Sequence, residues 1–211
     1  MYVMIRHAII KEEAMSAVKE GYESNIKGPV VASPGNKFFC VLNSVDMERK
    51  VRQMTGWDSK EDCDRYMKET YPAIREKWGW VFDEKPVSSF WEIKWPGKIQ
   101  FDPSRPLGSA LYIRTSRFKF KPEGMAAVIK GYDEDVIAPV VNSKGNRFIF
   151  VLLSTEEERV GSQVTGWDSK EDCDRYLNGA YLKAVSKVEW VFEEKPVATF
   201  WKIKWPGLIQ F

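Results

Sequence analysis

Hydrophobic and polar positions along the chain fall into six segments, and the same six then recur. From Tyr2 to Ile10, and again from Leu111 to Phe120, the pattern predicts a strand. In the second, Tyr112, Arg114, Ser116, Phe118 and Phe120 alternate with Ile113, Thr115, Arg117 and Lys119, a period of two. A helix is predicted next, over about Lys11 to Asn25 and Pro122 to Asp135. Pro122 suits a first helical turn, and Met125, Val128, Ile129 and Tyr132 recur at helical spacing. After Pro-Val-Val come the turn signals Ser33-Pro34-Gly35-Asn36 and Ser143-Lys144-Gly145-Asn146. Two strands follow, Lys37–Ser44 and Arg49–Trp57, joined by an acidic loop. Phe38 to Leu42 is nearly continuous apolar sequence, as expected of a strand covered on both faces. Asp58 and Ser59 open a second helix, with Asp62 three residues after Ser59 in the manner of a capping box. Its stripe of Cys63, Met67 and Ile74, matched by Cys173, Tyr176, Leu177 and Ala184, reads as core. The last strand, Val87–Trp95, places Trp91, Ile93 and Trp95 on one face and Glu92 and Lys94 on the other.

The register between copies is 110 residues without a gap: GWDSKEDCDRY occupies 56–66 and 166–176, and Phe101 meets Phe211. That period is too long for a solenoid repeat and suits one small domain. The order strand, helix, strand, strand, helix, strand is the split βαβ arrangement, a four-stranded antiparallel sheet with both helices on one face. The expected fold class is α+β: two tandem ferredoxin-like (βαββαβ) domains, 1–101 and 110–211, packed as an intrachain pseudo-dimeric α+β barrel. The apolar strands require a cover on the second face, and the sheet of the other copy supplies one. Residues 102–109 (DPSRPLGS) read as an exposed linker reaching at most about 28 Å.

Composition narrows the classes of function. The net charge of +2 is shared evenly by the copies, and no clustered basic footprint suggests nucleic acid. The apolar runs are too short to span a membrane, and MYVMIRHAII enters a strand pattern directly, unlike a signal peptide. Three sparse cysteines, two of them repeat-equivalent, suit buried thiols in a reducing compartment, so a cytoplasmic location is expected. Eight of nine tryptophans form repeat pairs at 57/167, 80/190, 91/201 and 95/205, which mainly predicts core or interface packing.

Chemistry-bearing residues are few. His7 is the only histidine, so no His-based metal cluster can form, and the cysteines lack metal-ligand spacing. It could act as a general base or be structural; its repeat partner is Arg117. Gln53/Gln163, Thr55/Thr165 and Trp57/Trp167 share one face of the third strand. If that face turns inward, the tryptophans could stack an aromatic ligand; otherwise they pack beneath helix two. Arg6 and Arg114 could meet an anionic or enolate group, or lie at the rim. Positions 56–101 match their partners at about 30 of 46, against about 22 of 55 for 1–55. Differences therefore concentrate in the first half, including Met4/Arg114, Arg6/Ser116 and His7/Arg117. This suggests that one half keeps a ligand site and the other supports it.

Pro34-Gly35, the strand Phe38 to Leu42, the strand ending Gly56-Trp57 and the junction Asp58-Ser59-Lys60-Glu61 resemble the antibiotic-biosynthesis-monooxygenase-like proteins of the dimeric α+β barrel group. So does the second copy's opening from Ser116 to Gly124. The resemblance covers roughly 1–95 and 111–205. It implies a barrel normally made by two chains, here supplied by one. It also implies cofactor-independent oxygenases of polycyclic aromatics, haem-degrading enzymes, or proteins without assigned activity. The haem-degrading branch uses an Asn, a Trp and a His; the matching positions are His7, Tyr66 and about Glu76, or Arg117, Tyr176 and Ser186. With no His in helix two, haem degradation is not expected. The leading expectation is a monooxygenase-like protein without cofactor or metal, acting on or binding a small aromatic or quinone-like compound. His7, Arg6 and Arg114 are its candidate catalytic groups, with Trp57, Trp167, Gln53, Gln163, Tyr66, Tyr176 and Arg117 around the ligand. The alternative is a non-catalytic ligand-binding or structural barrel.

Overall fold

The computed structural model describes residues 1–96, 111–126 and 133–209, with the backbone alone for 95, 96, 133 and 204–209. The predicted linker 102–109, the helical positions Val128, Ile129 and Tyr132, and the side chains of Trp95 and Trp205 lie outside that description. The first repeat runs β1 (Tyr2–Ile9), α1 (Met15–Tyr22), α2 (Gly28–Val31), β2 (Asn36–Ser44), β3 (Lys50–Trp57), α3 (Lys60–Arg65), α4 (Tyr71–Trp78) and β4 (Val87–Pro96). The second runs β5 (Tyr112–Lys119), α5 (122–126), α6 (Ala138–Val141), β6 (Asn146–Ser154), β7 (Val160–Trp167), α7 (Lys170–Leu177), α8 (Ala180–Val188) and β8 (Val197–Ile209).

Strand pairing follows the predicted order. β1 pairs antiparallel with β3 from Tyr2↔Trp57 to Ile9↔Lys50, and β3 pairs with β2 past a bulge between Asn36 and Phe38. β5, β7 and β6 repeat the arrangement, and β8 pairs with β5. The full order is β1-β3-β2-β8-β5-β7-β6-β4, which closes into an eight-stranded barrel. Each repeat contributes the 4-1-3-2 strand order of a ferredoxin-like sheet. The compact units are Met1–Trp91 with Ile203–Phe211, and Glu92–Lys202. The end of β4 thus belongs to the second unit and the end of β8 to the first.

Alternation along the strands decides which side chains meet the helices. In the first unit Tyr2, Met4, Phe39, Val41, Val51 and Trp57 join Val18, Tyr22, Cys63 and Tyr66 in one buried core. Tyr112, Phe118, Ile149, Val151 and Trp167 do the same with Val140, Cys173 and Tyr176 in the second. The cysteines are free and buried, and burial pushes their thiols up, to about 12 for Cys40 and Cys63 and about 11 for Cys173. Among the described residues no helix is long and apolar enough to cross a membrane.

The helices depart from the sequence pattern at their breaks. The first does not stop at Asn25. It widens into a π-turn over Glu23–Lys27 and continues through Val31, with Pro29 in the opening turn of α2. A proline fits there because the first turn has no use for its missing N–H. The second helix starts as predicted: Ser59 is extended, and its hydroxyl accepts from the Asp62 N–H at 3.1 Å. In the first repeat it passes through a π-turn, Tyr66–Thr70, into α4, where Pro72 again lies in the opening turn. In the second, α7 ends at Leu177 and a new helix, α8, begins at Ala180, with Asn178 and Gly179 between them.

Candidate functional site

The face of β3 and β7 that carries Gln, Thr and Trp turns toward the helices. Trp57 and Trp167 are completely buried beneath the second helix of their own repeat, stacked on Tyr66 and Tyr176 at 4.9 Å between ring centres. Each indole N–H donates to the threonine two residues earlier, Thr55 or Thr165, at 3.0 Å. These groups build a rigid aromatic wall.

Against that wall the two repeats place an arginine differently. In the first, Arg6 projects from β1 under α4, its guanidinium 3.8 Å from the centre of the Tyr71 ring. Nε donates to the Ser88 hydroxyl at 3.1 Å, and Nη2 lies 3.6 and 3.4 Å from the sulfurs of Met4 and Met67. Its cation also favours the charged form of Tyr66, whose hydroxyl burial nonetheless pushes up to about 12. In the second repeat position 116 is serine, and the arginine has moved two residues back to Arg114, where the first repeat has Met4. Arg114 still faces the equivalent ring, Tyr181, at 4.8 Å. Its Nη1 donates to Gln163 Oε1 at 3.5 Å, while Nε has no partner among the described residues.

The small Ser116 side chain lines a cavity of about 40 Å³ within the second unit. The strands contribute Ser116, Phe118 and Gln163; the helices contribute Tyr176, Tyr181, Ala184, Val185 and Val188; Val136, Phe192 and Pro196 complete the wall. Gln163 is 6% exposed, and its amide nitrogen has no hydrogen-bond partner among the described residues. A buried amide N–H without a partner is costly unless something else accepts from it. Burial pushes the Tyr176 hydroxyl upward, so it stays protonated near neutral pH.

The sequence-predicted residues therefore separate into groups. Gln163 and Tyr176 line this cavity, and Arg114 touches two of its walls. Arg6, Gln53, Tyr66 and Trp57 form the equivalent cluster of the first unit. His7 alternates to the opposite face of β1 from Arg6 and pairs in register with Arg52. Burial and the cations of Arg52 and Lys50 lower its imidazole to about 4. Arg117 is ion-paired with Glu157 at 2.6 Å on the surface. Sequence reasoning missed Tyr71, Tyr181 and Ser88, and met Ser116 as the repeat partner of Arg6, not as a site residue. A signal existed for the tyrosines: of positions 71–80, only Tyr71, Lys77 and Trp80 recur in the second copy.

No protein-family model and no curated protein matches the chain. Its fold does match solved structures. A candidate monooxygenase from Lactobacillus acidophilus NCFM is 9% identical with a TM-score of 0.76, covering 99% of this chain and 96% of its own. A second candidate monooxygenase, from Fusobacterium nucleatum subsp. nucleatum, is 6% identical with a TM-score of 0.77, covering 97% and 92%. An anthrone oxidase-like protein is 16% identical with a TM-score of 0.63, covering 96% and 90%. The chain thus shares its fold with these structures, an α+β fold with a closed eight-stranded barrel.

Proposed function

We propose that the chain is a monooxygenase-like barrel protein whose second repeat binds a small aromatic or quinone-like compound. The observation that supports this reading is the cavity of the second unit, where an aromatic and aliphatic wall surrounds one buried amide donor in need of an acceptor. A ring would lie against Phe118 and Tyr181, and a carbonyl or phenolic oxygen would accept from Gln163 Nε2. Donors fixed in a dry site also stabilise charge that develops on such an oxygen, which is what cofactor-free oxygenation of an enol or phenol requires. As it stands the cavity has room for one or a few waters. An aromatic guest needs α8 to yield, and the break at Asn178–Gly179 leaves α8 free of a continuous helical connection to α7. The names of the fold relatives agree with this reading of the chemistry.

A non-catalytic binding role is favoured by one observation. None of the described lining residues is His, Asp, Glu, Lys or Cys, so the cavity offers no ordinary general base. Two measurements on the full chain separate the readings. Titration with 1,4-naphthoquinone should quench tryptophan fluorescence saturably, and oxygen uptake with anthrone, without added cofactor, should exceed the uncatalysed rate. Binding without oxygen uptake would leave a ligand-binding barrel. No binding of either compound would overturn the proposal.

A further inference from the structure

Resting on that reading of the second unit's cavity, we infer that its ligand is an anion: an aromatic compound carrying a carboxylate, received at Gln163 and Arg114. The argument comes from comparing how the two repeats treat the same buried cation.

In the first unit Arg6 is provided for. Ser88, Tyr66, two thioethers and the Tyr71 face surround its guanidinium. In the second unit the hydroxyl and one thioether are withdrawn, while the two tyrosines remain as Tyr176 and Tyr181. Ser88 becomes Ala198, Met67 becomes Leu177, and the arginine itself is relocated to position 114. Arg114 is 2% exposed and, like Arg6, has no ion pair among the described residues; it differs in lacking the hydroxyl and thioether contacts that Arg6 has. Its polar contact is the long one to Gln163 Oε1, leaving Nε unmatched, and Gln163, which lines the cavity, in turn leaves Nε2 unmatched. Gln53 in the first unit has the same open amide nitrogen, but the cation beside it is already held.

A buried charge without a counter-charge is strongly unfavourable, and buried cations are ordinarily paired. One unmatched amide donor on a lining residue, with a buried cation hydrogen-bonded to the same side chain and no carboxylate in the described lining, matches an anionic acceptor. One carboxylate oxygen accepts from Gln163 Nε2, and the charge of Arg114, which donates to Gln163 Oε1, balances it. The aromatic wall of Phe118, Tyr181 and Phe192 covers the ring. The relocation of one arginine thus converts a structural cluster into a receptor, and only in one of the two repeats.

Benzoate and its neutral isostere benzamide test this on the full chain by calorimetric titration. Benzoate is expected to bind once per chain and at least tenfold more tightly than benzamide. Arg114→Met, which installs the first repeat's residue, should weaken benzoate tenfold or more, while Arg6→Met should leave it within twofold. Gln163→Glu supplies an internal carboxylate, so it should abolish benzoate binding and raise the melting temperature of the empty protein. This variant decides the matter even if Arg114→Met fails to fold. Equal binding of benzamide and benzoate, or two benzoates per chain, or a lowered melting temperature in Gln163→Glu, would overturn the anion while leaving the aromatic pocket standing. If neither compound binds, the anion falls too, and the aromatic site itself is decided by the naphthoquinone titration.

Discussion

At the scale of single residues, equivalent positions in the two repeats share a backbone and differ in what their side chains can satisfy. Arg6 and Arg114 start two residues apart on equivalent strands, yet each reaches the tyrosine that follows the Trp–Tyr stack. A long flexible side chain can deliver its charge to one place from either of two same-face positions. His7 shows the reverse: a residue whose type invites a chemical role, held on the opposite face of β1 from Arg6. Its folded value of about 4 lies below the ordinary 6.5, so in the window between them the unfolded chain binds the extra proton. The stability His7 contributes is therefore complete above about pH 6.5 and is lost as pH falls toward 4. Because it is the only histidine, its ring protons can be followed alone by NMR. A midpoint near 4 is expected, and His7→Gln should flatten the pH dependence of stability in that window. A midpoint near 6.5 would show that burial and the neighbouring cations do not act on it.

At the scale of elements, the conserved junction GWDSKEDCDRY works as a start signal for a helix. Ser59 and Ser169 both accept from the backbone N–H three residues on and donate to the same aspartate, Asp62 or Asp172, at 2.8 and 2.9 Å. The turn before β2 locks onto the same spot. Gly35 has φ of 80°, and a Cβ there would run into the Asp62 carboxyl, so glycine is needed both for conformation and for close approach. Ser59→Ala and Ser169→Ala should each cost about 1 kcal/mol, lowering the melting temperature by about 2–4 °C. The caps share no partner, so the double variant should show the sum; a clearly smaller loss would mean that water replaces the hydroxyl. These elements were legible because caps, turn glycines and apolar periodicity are local. The π-turns and the break in the second repeat's helix were not, because they depend on how each helix settles onto its sheet.

At the scale of the whole molecule, the bounds of the sequence repeats and of the compact units do not coincide. Ile203–Phe211 belongs with the first unit although it closes the second repeat, and β8 stands beside β2 in the strand order. Removing the chain after Lys202 should therefore expose the edge of β2. Faster amide exchange is expected in β2 of the first repeat, with β5–β7 pairing in the second largely preserved. Loss of protection confined to the second repeat would contradict that placement of the chain's last residues with the first unit.

Some of this was fixed by the chain alone. The repeat register, the alternation of the strands and the capped second helix specify two ferredoxin-like sheets, because periodicity and capping act within a few residues. Which face of β7 meets the helices, and whether a buried arginine finds its partners, depends on side chains far apart in sequence. Thus Arg6 and Arg114 look alike as buried-strand arginines. Only the tertiary structure distinguishes them, by surrounding Arg6 with Ser88, Met67 and Tyr71 and leaving Arg114 beside a cavity with a single long hydrogen bond.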